Sequence, residues 1–201
     1  MTTRWYQEKK REHYYKQAKQ QGYRARSAYK LKEIQRKFSV MKPGDYVIDL
    51  GGAPGGWSQI ASEIIGSTGK IIAVDLQEMK PLQGVIVIQG DMTQEDTLQE
   101  IQQQMKQPYA DVVLSDMSPD ISGNYTVDQA RSVWLCEHAL STVEKLLKPK
   151  GHFVCKIFEG EDIASFREKL RQSFYIVKQF SPKASRKSSS EVYLIAMSFH
   201  G

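Results

Sequence analysis

Cysteine is nearly absent: Cys136 and Cys155 are the two in a chain of 201 residues. They have no C-x-x-C spacing, which excludes a zinc ribbon, a redox pair of the thioredoxin kind and a disulfide scaffold. One falls in a helix-like and one in a strand-like stretch, so both are expected as packing residues. The histidines, His13, His138, His152 and His200, are scattered and form no H-E-x-x-H pattern, and no metal is expected. No apolar run approaches the roughly 20 residues that cross a bilayer. The opening stretch, MTTRWYQEKKREHYY, has neither the apolar core nor the small-residue cleavage site of a secretory signal. The expectation is a cytoplasmic protein without membrane contact. A GxxxxGK[ST] loop is missing too, which argues against a nucleotide triphosphatase.

What charge there is lies unevenly. Residues 1 to 42 hold 13 Lys and Arg against 3 Glu, a net of +10, while the remainder holds 15 against 20, a net of −5. Trp5, Tyr6, Tyr14, Tyr15, Tyr23, Tyr29 and Phe38 are interleaved with those cations. Cations neutralise phosphates and aromatic faces stack on unpaired bases, so this composition suits a nucleic acid, although a solvated basic helix has the same look. Within YRARSAYKLKEIQRKF, residues 23 to 38, the residues Ala28, Leu31, Ile34 and Phe38 recur at helical spacing, which predicts an amphipathic helix ending before Lys42-Pro43-Gly44. The length suits one main domain. The expected division is a basic helical extension over 1–42, packed on a core domain over 43–201.

Aliphatic runs follow at 46–50, 71–76, 85–91, 111–116 and 152–158, separated by helix-length stretches at 57–65, 93–105 and 127–147. Runs this continuous predict strands covered on both faces, and the alternation predicts an α/β fold with a mostly parallel sheet. FYIVKQF (174–180) and SEVYLIAMSF (190–199) are joined by a segment too short and polar for a crossover helix, so an antiparallel pair is expected to close the sheet.

In such sheets ligands sit beyond the carboxyl ends of the strands. Asp75, Asp91 and Asp116 stand at the ends of the second, third and fourth runs, and IDLGGAPGGWSQ (48–59) follows the first. The glycines suggest close approach of main chain to a nucleotide-like ligand. The loop nearly satisfies GxGxxG, but Ala53 replaces the central glycine and Pro54 removes an N–H where a pyrophosphate needs donors, which counts against NAD. S-adenosylmethionine carries an adenosine without phosphate and fits better. Asp75 would then hold the ribose hydroxyls and Asp91 the adenine edge, with the loop under the amino acid end. Loop capping at strand ends is the plainer role for the same acids. Lys156 lies inside an aliphatic strand, where an amine is costly unless paired or used; an edge-strand lysine reaching solvent is the alternative.

GYRARSAYKLKEI, VIDLGGAPGGWSQ, DVVLSDMSP, VCKIF and SSSEVYLIA, in that order, resemble the FtsJ/RrmJ (RlmE) group of ribosomal RNA 2'-O-methyltransferases from about residue 22 onward. Several ordered motifs are far more specific than one glycine loop. The resemblance implies a Rossmann-like methyltransferase fold, with a seven-stranded sheet whose final strand is antiparallel. It implies a Lys-Asp-Lys-Glu tetrad of Lys30, Asp116, Lys156 and Glu191. It implies a cofactor site at Gly52, Ala53, Pro54, Gly55, Gly56, Trp57, Asp75, Leu76, Asp91, Met92 and Asp116. The group's loop reads GAAPGGW, and Gly52 stands here at the second position, a change between small residues. Expected RNA contacts are Arg4, Lys9, Lys10, Arg11, Arg24, Arg26, Lys183, Arg186 and Lys187.

The expected activity is methyl transfer from S-adenosylmethionine to a ribose 2'-hydroxyl, most simply of a uridine in 23S ribosomal RNA of the large subunit, by a monomer. Lys156 is the candidate proton acceptor; kept charged, it could instead steer the hydroxyl's lone pair. A tRNA anticodon-loop enzyme and a non-catalytic RNA-binding or ribosome-assembly module are the alternatives, with an NAD-linked oxidoreductase behind them.

Overall fold

A computed structural model describes residues 14, 16–185 and 190–201. The expected contacts Arg4, Lys9, Lys10, Arg11, Arg186 and Lys187 lie outside the described residues. Seven strands, β1 (Tyr46–Leu50), β2 (Lys70–Asp75), β3 (Val85–Gln89), β4 (Ala110–Ser115), β5 (Leu147–Phe158), β6 (Phe174–Phe180) and β7 (Glu191–Phe199), form one sheet ordered β3-β2-β1-β4-β5-β7-β6. The first five pair in parallel, and β7 runs antiparallel between β5 and β6. The expected closing hairpin is present, with its second strand as the inner one. Chain order turns back between β1 and β4, which opens a crevice at the strand ends there.

Helices α1 (Ala28–Phe38), α2 (Gly56–Ile65), α3 (Glu95–Gln104), α4 (Tyr125–Leu146) and α5 (Ile163–Ser173) cover the two faces. Along β1, Val47 joins the core beneath α1 and α2, while Ile48 and Leu50 join the core beneath α3, α4 and α5. An apolar side chain on either face of the pleat thus finds a layer to bury against, which is why these strands read as unbroken aliphatic runs. Ala28, Leu31 and Ile34 are fully buried in the α1–α2 layer and Phe38 packs against it. The expected helical face is therefore part of the core. The helix starts at Ala28 rather than at 23, because residues 22 to 24 bond to another element: the Arg24 N–H donates to Gln59 Oε1, and Gln59 Nε2 to the Gly22 carbonyl. Helix α5 lies outside the stretches expected to be helical; Phe166 and Leu170 are its buried residues. Cys136 and Cys155 are buried.

Candidate active site

Lys156 sits near the end of β5, and antiparallel register sets Tyr193 opposite it and Glu191 opposite Phe158. Residues opposed in register share a face of the sheet. Tyr193 packs in the α1–α2 layer, so Lys156, Tyr193 and Glu191 all point toward α1. From α1, Lys30 meets them: its Nζ lies 2.8 Å from Glu191 Oε2 and 5.6 Å from the Tyr193 ring centre. Asp116, the first residue after β4, completes the group. Lys156 Nζ donates to the Asp116 carbonyl at 2.5 Å and stands 3.3 Å from its Oδ1. Four residues separated by up to 161 positions are thus gathered in two ion pairs, Lys30–Glu191 and Lys156–Asp116.

Both amines are withdrawn from water, with side chains of Lys30 and Lys156 exposed by 7% and 6%. Burying an ammonium without a partner would cost several kcal/mol, roughly, so each carboxylate here is a condition for its lysine being there. Tyr193, overlooked in the sequence because an aromatic in a strand looks like core, donates to Asp116 Oδ1 at 2.8 Å. Burial first, and then the Asp116 and Glu191 charges, push its phenol well above the usual tyrosine range, so it stays a donor and fixes the Asp116 carboxylate.

Asp116 also lines a cleft of about 830 Å³ at the carboxyl ends of β1, β2, β3 and β4. Of the residues expected around a cofactor, Ala53, Asp75, Leu76, Asp91, Met92 and Asp116 line it; Gly51, Met117, Arg131 and Trp134 are lining residues that sequence reading missed. Asp75 ends β2 and accepts from Ala53 N–H at 2.9 Å with Oδ2 and from Gln77 N–H at 2.8 Å with Oδ1, so it ties the glycine loop to the segment after β2. Asp91 Oδ1 accepts from the Thr93 main chain and hydroxyl. Asp75, Asp91, Asp116 and Asp120 face the cleft against Arg131. A cleft of that sign opposes a pyrophosphate and suits a ligand with cationic groups. Among the described residues no cluster of His, Cys, Asp and Glu could hold a metal ion.

The glycines also have a reason within the fold itself. A Cβ on Gly52 would meet Ala73 Cβ at 3.0 Å, one on Gly55 would meet the Arg24 side chain at 3.0 Å, and one on Gly56 would meet Ala25 Cβ at 2.9 Å. Gly51 and Gly55 also have φ of 73° and 111°, where side chains are disfavoured. The bare positions thus let other parts of the chain pack behind the loop. Trp57 is buried, donates from Nε1 to the Ser27 carbonyl and packs on Tyr193 at 5.6 Å between ring centres, so it supports the site from within. Beneath the loop, Asp49 is fully buried and bonded by Ser58 Oγ at 2.6 Å, while its Oδ1 has no partner. Burial pushes its carboxyl up to about 7; Ser58 pulls the other way, and the Asp116 and Asp75 charges add to the rise.

The expected RNA contacts divide. Arg24 turns its guanidinium to main-chain carbonyls of Pro54, Lys80 and Pro81. Lys183 lies in a turn held to α1, where Glu33 accepts from the main-chain N–H groups of Lys183 and Ala184. Arg26 follows Arg24 in the partly exposed segment leading into α1.

Residues 23–199 match the model of the FtsJ-like methyltransferases. A ribosomal RNA large subunit methyltransferase E of Methanosarcina acetivorans is 47% identical over 94% of this chain and 69% of its own length. A protein of the same name from Marinobacter nauticus is 46% identical over 98% of this chain and 96% of its own. Among solved structures, a ribosomal RNA methyltransferase from Plasmodium falciparum superposes with a TM-score of 0.81 at 26% identity, over 89% of this chain and all of that one.

Proposed function

Since the chain belongs to the FtsJ-like methyltransferase family, we propose that it methylates the 2'-hydroxyl of a ribose in large-subunit ribosomal RNA, a uridine of 23S RNA being the expected target, with S-adenosylmethionine as methyl donor. The observation that carries this reading is the position of Asp116, which lines the cleft on one side and holds Lys156 on the other. Methyl donor and acceptor sugar must meet where those two surfaces join.

The cleft's residues fit the proposed cofactor. Asp75 and Asp91 offer carboxylate oxygens to hydroxyl and amino donors, the aspartates suit its cationic sulfonium and ammonium, and Leu76, Met92 and Trp134 supply apolar wall. When bound, it would supply an electrophilic methyl carried on a sulfonium. The chain's own task is to hold the hydroxyl in line and accept its proton. The contacts support Lys156 in that role in its uncharged form, in which two N–H bonds go to the two oxygens of Asp116 and the lone pair is left for the hydroxyl proton. Lys30 and Glu191 form the opposite wall, and as a bonded pair they can orient the sugar without adding net charge. Burial excludes water, which strengthens each of these contacts.

The deciding experiment is transfer of labelled methyl from S-adenosylmethionine to purified large subunits, free ribosomal RNA and tRNA, followed by nuclease mapping. Label on a single 2'-O-methyl nucleotide of the large subunit is the expected product. Label found on tRNA alone would assign the chain to the anticodon-loop reaction, and the absence of cofactor binding by calorimetry would leave only a binding role.

A further inference from the structure

Arg24 has the composition-level mark of a phosphate contact: it is a cation in a basic, aromatic-rich segment. Its side chain is engaged elsewhere. Nη1 donates to the Pro54 carbonyl at 3.2 Å and to the Lys80 carbonyl at 2.6 Å, and Nη2 donates to the Pro81 carbonyl at 2.6 Å. Its own main-chain N–H donates to Gln59 Oε1 at 2.7 Å in α2. One residue thereby joins the tip of the glycine loop, the connection from β2 to β3 and the helix that follows the loop. Arg24 is half-buried, and a Cβ on Gly55 would crowd its side chain at 3.0 Å, so the glycine loop is bare on the side where Arg24 passes.

The opposite side of the same joint is closed by Asp75, whose two oxygens take the N–H groups of Ala53 and Gln77. Ala53 and Gln77 line the cleft; Pro54, Lys80 and Pro81 lie beyond its lining. The loop and the β2–β3 connection are therefore pinned together twice, by a carboxylate on main-chain donors at the cleft and by a guanidinium on main-chain acceptors behind it. A planar fork with fixed N–H directions can serve two separated carbonyl groups at once, whereas an ammonium is a single point of charge.

We propose that Arg24 is a positioning residue for the cofactor: it holds the glycine loop against the β2–β3 connection, so that Ala53, Asp75 and Gln77 keep the shape in which the methyl donor binds. This rests on the cleft being the S-adenosylmethionine site. It separates Arg24 from the RNA-binding cations with which its sequence context groups it.

A charge-preserving substitution distinguishes the two roles. Arg24→Lys retains a cation for a phosphate but loses the fork. Calorimetric titration of S-adenosylmethionine into the wild type, Arg24→Lys and Arg24→Ala is expected to show about tenfold weaker binding in both variants, as loss of charged hydrogen bonds implies. The KM for the cofactor should rise in parallel, with kcat at saturating cofactor changed by less than threefold, roughly. In filter binding of a ribosomal RNA fragment, the salt slope of Arg24→Ala should stay within about 0.3 of wild type, where a cation that neutralises one single-strand phosphate accounts for about 0.7. Wild-type cofactor affinity in Arg24→Lys, with a salt slope reduced by the share of a full phosphate in Arg24→Ala, would overturn the inference. If Arg24→Ala does not fold, Arg24→Lys decides through its cofactor affinity: wild-type affinity overturns the inference and weakened affinity supports it. A wild type that binds no S-adenosylmethionine would instead remove the cofactor reading beneath it.

Discussion

At the scale of single residues, the site is a set of costs that cancel in pairs. Lys156 is tolerable in a buried strand because Asp116 meets it, and Lys30 because Glu191 does. Lys156→Ala should lower methyl transfer about 10²- to 10⁴-fold, the usual loss when a proton acceptor is removed, with cofactor affinity changed only a few-fold. Single-turnover transfer and calorimetry check the two halves; full activity in the variant would sink the role. Tyr193→Phe frees Asp116 from one donor and should give a smaller loss, about tenfold, by letting the carboxylate rotate. Asp49 carries a pH dependence of its own. Its carboxyl titrates near 7 in the fold against 3.8 as a free group, so the folded state keeps a proton that the unfolded chain gives up. Stability from this group is therefore lost as pH rises from about 4 to about 7 and is level above that. Asp49→Asn should flatten the fall in melting temperature between pH 5 and pH 8, recovering on the order of 2 kcal/mol at the upper end. An unchanged pH profile in that variant would show that Asp49 ionises freely.

At the scale of elements, the glycine loop is a junction between segments of the chain. Gly56 has Ala25 Cβ 2.9 Å from where its own would lie, so Gly56→Ala should overpack the contact between α2 and the segment before α1. A loss of about 1–3 kcal/mol in thermal or denaturant unfolding is the expected outcome. Helix α1 came from the basic part of the sequence, yet Leu31 and Ile34 are fully buried with Trp57 and Tyr193 in one layer. Leu31→Ala should accordingly cost about 2–5 kcal/mol, as a core truncation does, where a surface truncation would cost a few tenths. This packing also sets the tetrad. Lys30 is the residue before Leu31, so the packing that buries Leu31 delivers the Lys30 amine to Glu191.

At the scale of the molecule, charge is divided between a basic front and an acidic remainder, and the cleft faces belong to the acidic part. The proposed attraction of RNA is then expected mainly from the front. Removing residues 1–13, which carry Arg4, Lys9, Lys10 and Arg11, should weaken binding of a ribosomal RNA fragment and reduce the salt slope by about 0.7 for each phosphate no longer neutralised, leaving cofactor affinity in place. Filter binding across a salt series checks it; a slope equal to that of the full chain would place the RNA footprint elsewhere. Among the described residues no helix is long and apolar enough to cross a membrane.

The succession of strands and helices, the double-sided core and the acids beyond the strand ends could be read from the chain, because they follow from local chemistry: aliphatic runs bury on both faces, and a carboxylate at a strand end faces the crevice. Lys156 stood out for the same reason, as a charge in apolar company. Its grouping with Asp116, Lys30 and Glu191 followed from the resemblance of ordered motifs, and which carboxylate meets which amine was decided by the fold. Tyr193 was hidden because a donor in a strand has no signature until its acceptor is known. The reasons for the bare glycines and the use of Arg24 were hidden likewise, since both depend on which segment passes behind the loop. The Arg24 contacts join positions 30 or more apart in the chain, and their energy exists only once the layers have closed.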